Sequence, residues 1–254
     1  MRKYIKTLKL FWSTSLAVQV EYQINFYVEL IAMLGTFIGS LFILSLFFKE
    51  QNQIGEWSWE AALIVQGVYT FLDGLTNTLL RPNLTEIVNY VREGTLDFVL
   101  VKPIDSQFWL STRTISPAGL PEMLLGIGLV FWTTETSQNY IGFNELSIGL
   151  FMLLMGMIIL YSLWFLIAAT SIWFVKTWNA TEVLRAILAA GRFPISAYPV
   201  VLKFIFTLLI PITFLTTVPA KIFLGQFNIL LIISGILIAV IFFTSSRYFW
   251  KYAL

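Results

Sequence analysis

Three carboxylates, Glu29, Asp73 and Glu122, stand inside strongly apolar stretches of the chain. In lipid an ionised side chain is costly, so an intramembrane acid marks a substrate path, a proton relay or a cation site. Asp73 carries the strongest pattern. Gln66, Thr70, Asp73 and Asn77 recur at i, i+4, i+7 and i+11, one narrow polar stripe on a helix. Such a stripe faces protein or water, and it reads either as the lining of a path or as a polar contact between helices. Glu29 and Glu122 lie nearer the ends of their stretches, with Glu122 directly after Pro121. No Lys or Arg falls within these stretches to neutralise the three acids. Tyr27, Tyr69, Phe71 and Trp132 are rings on which a flat organic cation could stack.

Other chemistry is closed off. The chain has no cysteine and no histidine, so it offers no disulfide, thiolate nucleophile, Cys/His metal site or imidazole base. A serine protease working inside the membrane lacks its base, and an aspartyl one lacks a second deep aspartate beside Asp73. No G-x-x-x-x-G-K-[ST] phosphate loop is present, so ATP is not bound by that route and no cofactor is expected on this chain.

The elements that must hold these acids are membrane helices. Of 254 residues, 58% are hydrophobic and only 12% charged, against about a quarter charged in a soluble domain. Too few charges remain to cover a globule in water, and a lipid surround removes that need. The net charge of +2 gives no case for nucleic-acid binding. Six apolar stretches are long enough to span: 24–48, 61–80, 115–133, 146–175, 201–218 and 227–245. The fifth is short and carries Pro211. An all-α, polytopic membrane protein is expected, with one membrane domain over 24–254.

Basic residues set the orientation, because Lys and Arg concentrate in cytoplasmic loops. Arg2, Lys3, Lys6 and Lys9 precede the first span. Arg81, Arg92, Lys102 and Arg113 fall between the second and third, Lys176, Arg185, Arg192 and Lys203 between the fourth and fifth, and Arg247 and Lys251 follow the last. The alternate loops hold only Lys49 and Lys221. Both termini are therefore expected in the cytoplasm, with all three acids in the inner half of the membrane. Residues 1–22 read as a separate amphipathic helix lying in the interface, with Tyr4, Ile5, Leu8, Phe11 and Trp12 on its apolar side. Gly35 and Gly39 form a small-x-x-x-small pair that permits close helix packing, within the chain or at a subunit interface.

The loop 84–113 is too polar to span and too short to fold alone. Leu84, Ile87, Val88 and Val91 follow helical spacing, Gly94 ends that helix, and a second apolar run stops at Pro103. The pattern fits a short amphipathic element at the membrane surface, a plain loop joining two spans, or a docking surface for a cytoplasmic partner, for which Phe98 and Leu100 could supply anchors and Arg92, Glu93, Asp97 and Lys102 ion-pair partners. A second cytoplasmic helix is expected after it, capped at Asn179 with Glu182 and ended by Gly191 and Pro194.

Arg92-Glu93-Gly94-Thr95-Leu96-Asp97, followed by Leu100-Val101-Lys102-Pro103-Ile104-Asp105, resembles the E-x-G-T-L-(E/D)-x-L-L-x-x-P-(L/I)-S signature of ABC-2-type permeases, the membrane subunits of ATP-driven exporters. Asp105 stands where Ser is more usual. The six-span layout and the interfacial elbow also fit. Gly191-Arg192-Phe193-Pro194-Ile195-Ser196, Tyr198-Pro199 and Phe214-Leu215-Thr216-Thr217-Val218-Pro219-Ala220 are similar to one prokaryotic branch, which includes exporters of viologen-like and other cationic drugs.

The resemblance implies a six-helix ABC-2-type (type V-like) exporter fold in the prokaryotic plasma membrane. It also implies coupling through 92–105 to separate nucleotide-binding ATPase subunits carrying ATP and Mg2+, and a second permease copy or homologue. Acids on the loading side favour an amphiphilic cation as cargo. Two other classes compete. A proton-coupled carrier would use Asp73, but the sequence displays no inverted repeat and no unwound half-helix pair. A membrane scaffold or assembly factor without transport is the other.

Overall fold

The computed structural model describes residues 2–21, 23–50, 53, 55–136, 141–174 and 178–254. Lys176 and the side chains of Arg2, Lys3 and Asn179, the last an expected cap, lie outside what is described, as do residues 1 and 22. Helix α1 (Arg2–Glu21) is followed by α2 (Gln23–Glu50). Helix α3 (Trp59–Leu75) continues through a π-type turn (Thr76–Leu80) into α4 (Arg81–Arg92). Next come the short α5 (Asp97–Leu100) and α6 (Ser106–Thr112), then α7 (Leu120–Thr136) and α8 (Phe143–Ala169). The chain ends with α9 (Trp178–Leu188), α10 (Val200–Phe204), α11 (Val218–Phe223) and α12 (Ile229–Ala253). Local signals account for several starts. Ser58 accepts a hydrogen bond from Ala61 N at 3.3 Å to open α3, and Asn228 accepts from Leu230 N and Leu231 N to open α12.

Three helices among the described residues are long and apolar enough to cross a bilayer: Ile24–Lys49, Phe143–Ile172 and Ile229–Ala253. Two bent pairs bring the number to five if each is one span, Ser106–Thr112 with Pro117–Thr136 at 60° and Val200–Leu209 with Thr213–Phe223 at 79°. The expected second span is α3 with its π-type continuation. Its polar stripe keeps it less apolar than the other three, and the surrounding protein buries most of it.

The expected fifth span, 201–218, is not one continuous helix. Ile210, at φ −121° and ψ 88°, leaves helical geometry because the ring of Pro211 excludes the α region for the residue before it. The two halves are tied across the break by Thr213 Oγ1, which donates to Phe206 O at 3.1 Å and lies 3.0 Å from Thr207 Oγ1. Irregular backbone at membrane depth is tolerated where side chains satisfy its freed groups. The expected absence of an unwound helix is thus corrected.

A second correction concerns Arg185 and Arg192, expected in a cytoplasmic loop. Residues 182–196 instead run antiparallel along α3, from its basic end towards its start. Glu182 pairs with Arg81 at 3.6 Å, and the Arg192 guanidinium lies 5.1 Å over the Tyr69 ring. Phe193 meets Phe47 and the Leu44, Ala62 and Leu63 cluster, and Ser196 packs on Gly55. Two of the positive charges that supported the orientation are therefore used inside the bundle.

Helices α3 and α7 pack antiparallel along a seam of four glycines, Gly67 and Gly74 facing Gly126 and Gly119. A Cβ on Gly74 would stand 2.6 Å from Met123 N and 2.7 Å from Gly119 O, and one on Gly126 would stand 2.6 Å from Gly67 O. Gly35 and Gly39 have no such neighbour among the described residues: nothing there lies within 4 Å of a Cβ built on either. Helices α8 and α12 run parallel, joined by Met152 against Gly235, Tyr161 against Phe243 and Phe165 against Trp250. Fully buried Trp164 and Phe165 fix the centre of the core.

Candidate functional site: a braced loop and a charged cavity

The loop 92–105 leaves α4 through a Schellman turn. Thr95 N donates to Tyr90 O at 2.9 Å and Gly94 N to Val91 O at 3.2 Å, with Gly94 at φ +67°. A side chain at Gly94 would meet open space, so Gly94→Ala is penalised only by its backbone, by about 1–2 kcal/mol. The expected outcome is a modest drop in thermal stability with normal membrane insertion, measured by thermal unfolding of the solubilised chain.

After the turn, α5 alternates anchored and free residues. Val99 is buried against the core, while Phe98 is 75% exposed, Val101 84% and Leu100 37%. Leu96 packs partly against the core and Thr95 is half-buried. Among the charges, Arg92 lies 3.9 Å from Glu93, and Lys102 sits 5.0 Å over the Trp109 ring with Arg113 at 4.7 Å. Asp97 and Pro103 are exposed.

Asp105 has a different place. It caps α6 by accepting from Phe108 N at 2.9 Å, and it forms a two-pronged ion pair with Arg247 near the end of α12. Arg247 also reaches Gln107 Oε1 at 3.1 Å, and Trp250 Nε1 donates to Ser106 Oγ at 3.0 Å. Helix α1 braces the opposite side: Tyr4 meets Phe108 edge-on at 4.8 Å, and Ser15 Oγ donates to Ile115 O at 2.8 Å. Serine and aspartate are both good N-caps, so a departure from the usual Ser keeps the cap and adds a strut.

Arg247 holds the Asp105 carboxyl below the usual carboxylate range, helped by the N–H groups of Phe108 and Gln107. A lowered folded-state pKa adds stability that is complete above the unfolded value and is lost as pH falls through the folded one. Arg247→Gln is therefore expected to cost about 1 kcal/mol or less for a half-exposed pair. The gap to the unsubstituted chain should be constant from neutral pH down to about pH 5 and close below about pH 4. Thermal unfolding across pH measures it. Asp105→Ser should keep the cap and lose only the ion pair, whereas Asp105→Ala loses about 1 kcal/mol more.

The three membrane acids meet in one cavity of about 550 Å3, lined by Glu29, Asp73, Asn77 and Glu122 together with Arg81, Arg185 and Arg192. Glu122 accepts from Asn77 Nδ2 at 2.8 Å and adjoins Asp73, which accepts from Tyr69 Oη at 3.3 Å. The polar stripe therefore divides. Asp73 and Asn77 reach the cavity, but Gln66 and Thr70 are buried, with Gln66 Nε2 donating to Ser40 Oγ of α2 at 2.9 Å and Thr70 Oγ1 bonded to Gln66 O within α3. Gln66 serves as a polar contact between α3 and α2.

Sequence reasoning missed Arg185 and Arg192 as cavity residues. Their spacing of seven, which places both on one side of a helix, was the available signal.

No curated protein matches the chain. Residues 34–254 match the family described as ABC-2 family transporter protein, which takes in the chain from within α2 to the C-terminus, with the loop 92–105 and the cavity lining other than Glu29, Ala32 and Met33. By that match, the chain belongs to the ABC-2 family of transporter membrane proteins.

Proposed function

We propose that this chain is the permease subunit of an ATP-driven exporter, with six spans and both ends in the cytoplasm of a prokaryotic inner membrane. In this reading the fifth crossing is residues 178–197 alongside α3, and the broken pair Val200–Leu209 and Thr213–Phe223 folds back into the bundle. The observation that carries the reading is the braced stub. Two exposed apolar residues, Phe98 and Val101, stand on a turn that is anchored by Val99 and strutted to α12 through Asp105. An element that must transmit force needs a free face for a partner and rigid ties to the moving helices. Helix α1 and the end of α12 both lie against α6, next to the stub, which supports both termini on the docking side.

In this family ATP hydrolysis generally belongs to a separate subunit. ATP and Mg2+ would sit there, and two permease chains, identical or related, would pair over two such ATPases. Docking at 92–105 would move α6, α7 and α12, and cargo would leave outward from a cavity loaded from the inner leaflet. Co-expression with a candidate ATPase chain tests this. Recovery of a stable complex with cargo-stimulated ATP hydrolysis is expected, and failure to retain any ATPase after gentle extraction would sink the reading.

A proton-coupled carrier is the competing reading, and the helix break at Ile210 favours it. It requires that Asp73→Asn abolish substrate-linked proton movement in vesicles without ATP.

A further inference from the structure

We propose that the cavity takes the headgroup of a zwitterionic amphiphile, one bearing both an ammonium and a phosphate or carboxylate, rather than a simple cation. This rests on the permease reading above and narrows its cargo.

The charges in the cavity are sorted by segment. The carboxyls come from the membrane helices, Glu29 on α2, Asp73 on α3 and Glu122 on α7. Arg185 and Arg192 come from the segment that runs along α3, while Arg81 is engaged by Glu182 at 3.6 Å. Among the described residues, no ion pair within 4 Å joins Arg185 or Arg192 to any of the three acids. Opposite charges thus line one cavity without closing on each other. Asp73, Glu122, Arg185 and Arg192 are half-buried and so only partly solvated, and a ligand carrying both signs relieves both walls at once.

The volume, about 550 Å3, lies in the range of small-ligand sites. One wall is α2, through Ala32, Met33 and Thr36, and Ile24, Val28 and Ile31 of that helix are exposed. A hydrocarbon tail can lie along it while the headgroup occupies the cavity.

The test uses the full chain purified in a neutral maltoside detergent. Isothermal titration compares decylphosphocholine, decyltrimethylammonium and decyl phosphate, each below its micelle concentration. Decylphosphocholine is expected to bind about tenfold or more tighter than either singly charged probe, as desolvated charge pairs imply. Arg192→Gln should lower its affinity to that of decyltrimethylammonium, and Asp73→Asn to that of decyl phosphate, so each substitution removes one half of the recognition.

Tailless phosphocholine separates the sources: binding as tight as that of the decyl probe assigns a soluble zwitterion, and weaker binding a membrane amphiphile. Tightest binding of decyltrimethylammonium, undisturbed by Arg192→Gln, would overturn the proposal in favour of a cation. Tightest binding of decyl phosphate, or no saturable binding of any probe, would overturn it equally. The ranking in the unsubstituted chain stands even if a variant fails to fold. ATPase docking is read separately by co-purification, so failure of the headgroup assignment and failure of the permease reading are distinguishable.

Discussion

Gly126→Leu is expected to yield no folded chain, whereas Gly35→Leu should fold as the unsubstituted protein does. The difference comes from what each position touches. A Cβ at Gly126 would stand 2.6 Å from Gly67 O and closer still to Phe71 N, both backbone atoms of α3 that no rotamer change can move. Lipid gives helices little hydrophobic reason to associate, so close van der Waals contact between small residues is what joins α3 to α7. Forcing them apart also opens the wall between Asp73 and Glu122, which lie on those two helices and face one cavity. A single methyl in a packed core costs about 1–3 kcal/mol, so Gly126→Ala should be visibly destabilised and Gly126→Leu not recovered. At Gly35 the space is open. Size-exclusion profiles and thermal unfolding of the solubilised variants read the result. A monodisperse, stable Gly126→Leu chain would show that the seam is dispensable. An unstable Gly35→Leu chain would place a second copy on α2.

The same comparison shows why one glycine pair was legible in the sequence and the other was not. Gly35 and Gly39 are four apart on one helix, a pattern visible locally. The working seam joins glycines seven apart on α3 to Gly126 on α7 and Gly119 in the turn just before it, and only the pairing of the two segments reveals it. The stripe from Gln66 to Asn77 was legible as polar and inward-facing because helical period alone dictates it. Which part meets Ser40 and which meets the cavity depends on where α2 lies, and periodicity does not carry that.

Arg185 and Arg192 illustrate the stronger failure. The rule that basic residues stay in cytoplasmic loops treats each as a free charge. Here Tyr69 provides a ring surface for one, and acids on three helices provide opposite charge nearby. Burial among such groups reduces the penalty the rule assumes. The break at Ile210 was foreshadowed by Pro211, but the 79° bend depends on the threonine contacts that hold the two halves. The braced loop was the most legible part. Gly94 and Asp105 act through backbone geometry and capping, which are local properties, whereas the reach of Asp105 to Arg247, far along the chain, is not.

Phe98→Asp together with Val101→Asp is expected to abolish cargo-stimulated ATP hydrolysis while leaving the chain folded and inserted. Both side chains are largely exposed, 75% and 84%, so they contribute little to the fold, and a charge at either position stays in water. Val99, which does anchor α5, is untouched. An apolar anchor entering a partner's pocket is worth about 2 kcal/mol or more, and replacing it with a carboxylate adds a desolvation cost. Two such changes therefore weaken docking by at least about a hundredfold if their effects add. Headgroup binding should be unchanged, because the cavity residues lie on other elements. This pattern, lost stimulation with retained binding, separates docking from cargo recognition. Asp105→Ser adds the complementary case, keeping both apolar residues, the α6 cap and the Trp250–Ser106 bond while removing the Asp105–Arg247 strut to α12. If the strut transmits force, that variant should keep the ATPase bound and lose part of the stimulation. Full stimulation in the double aspartate chain would remove the stub from the coupling path, and full stimulation in Asp105→Ser would remove the strut.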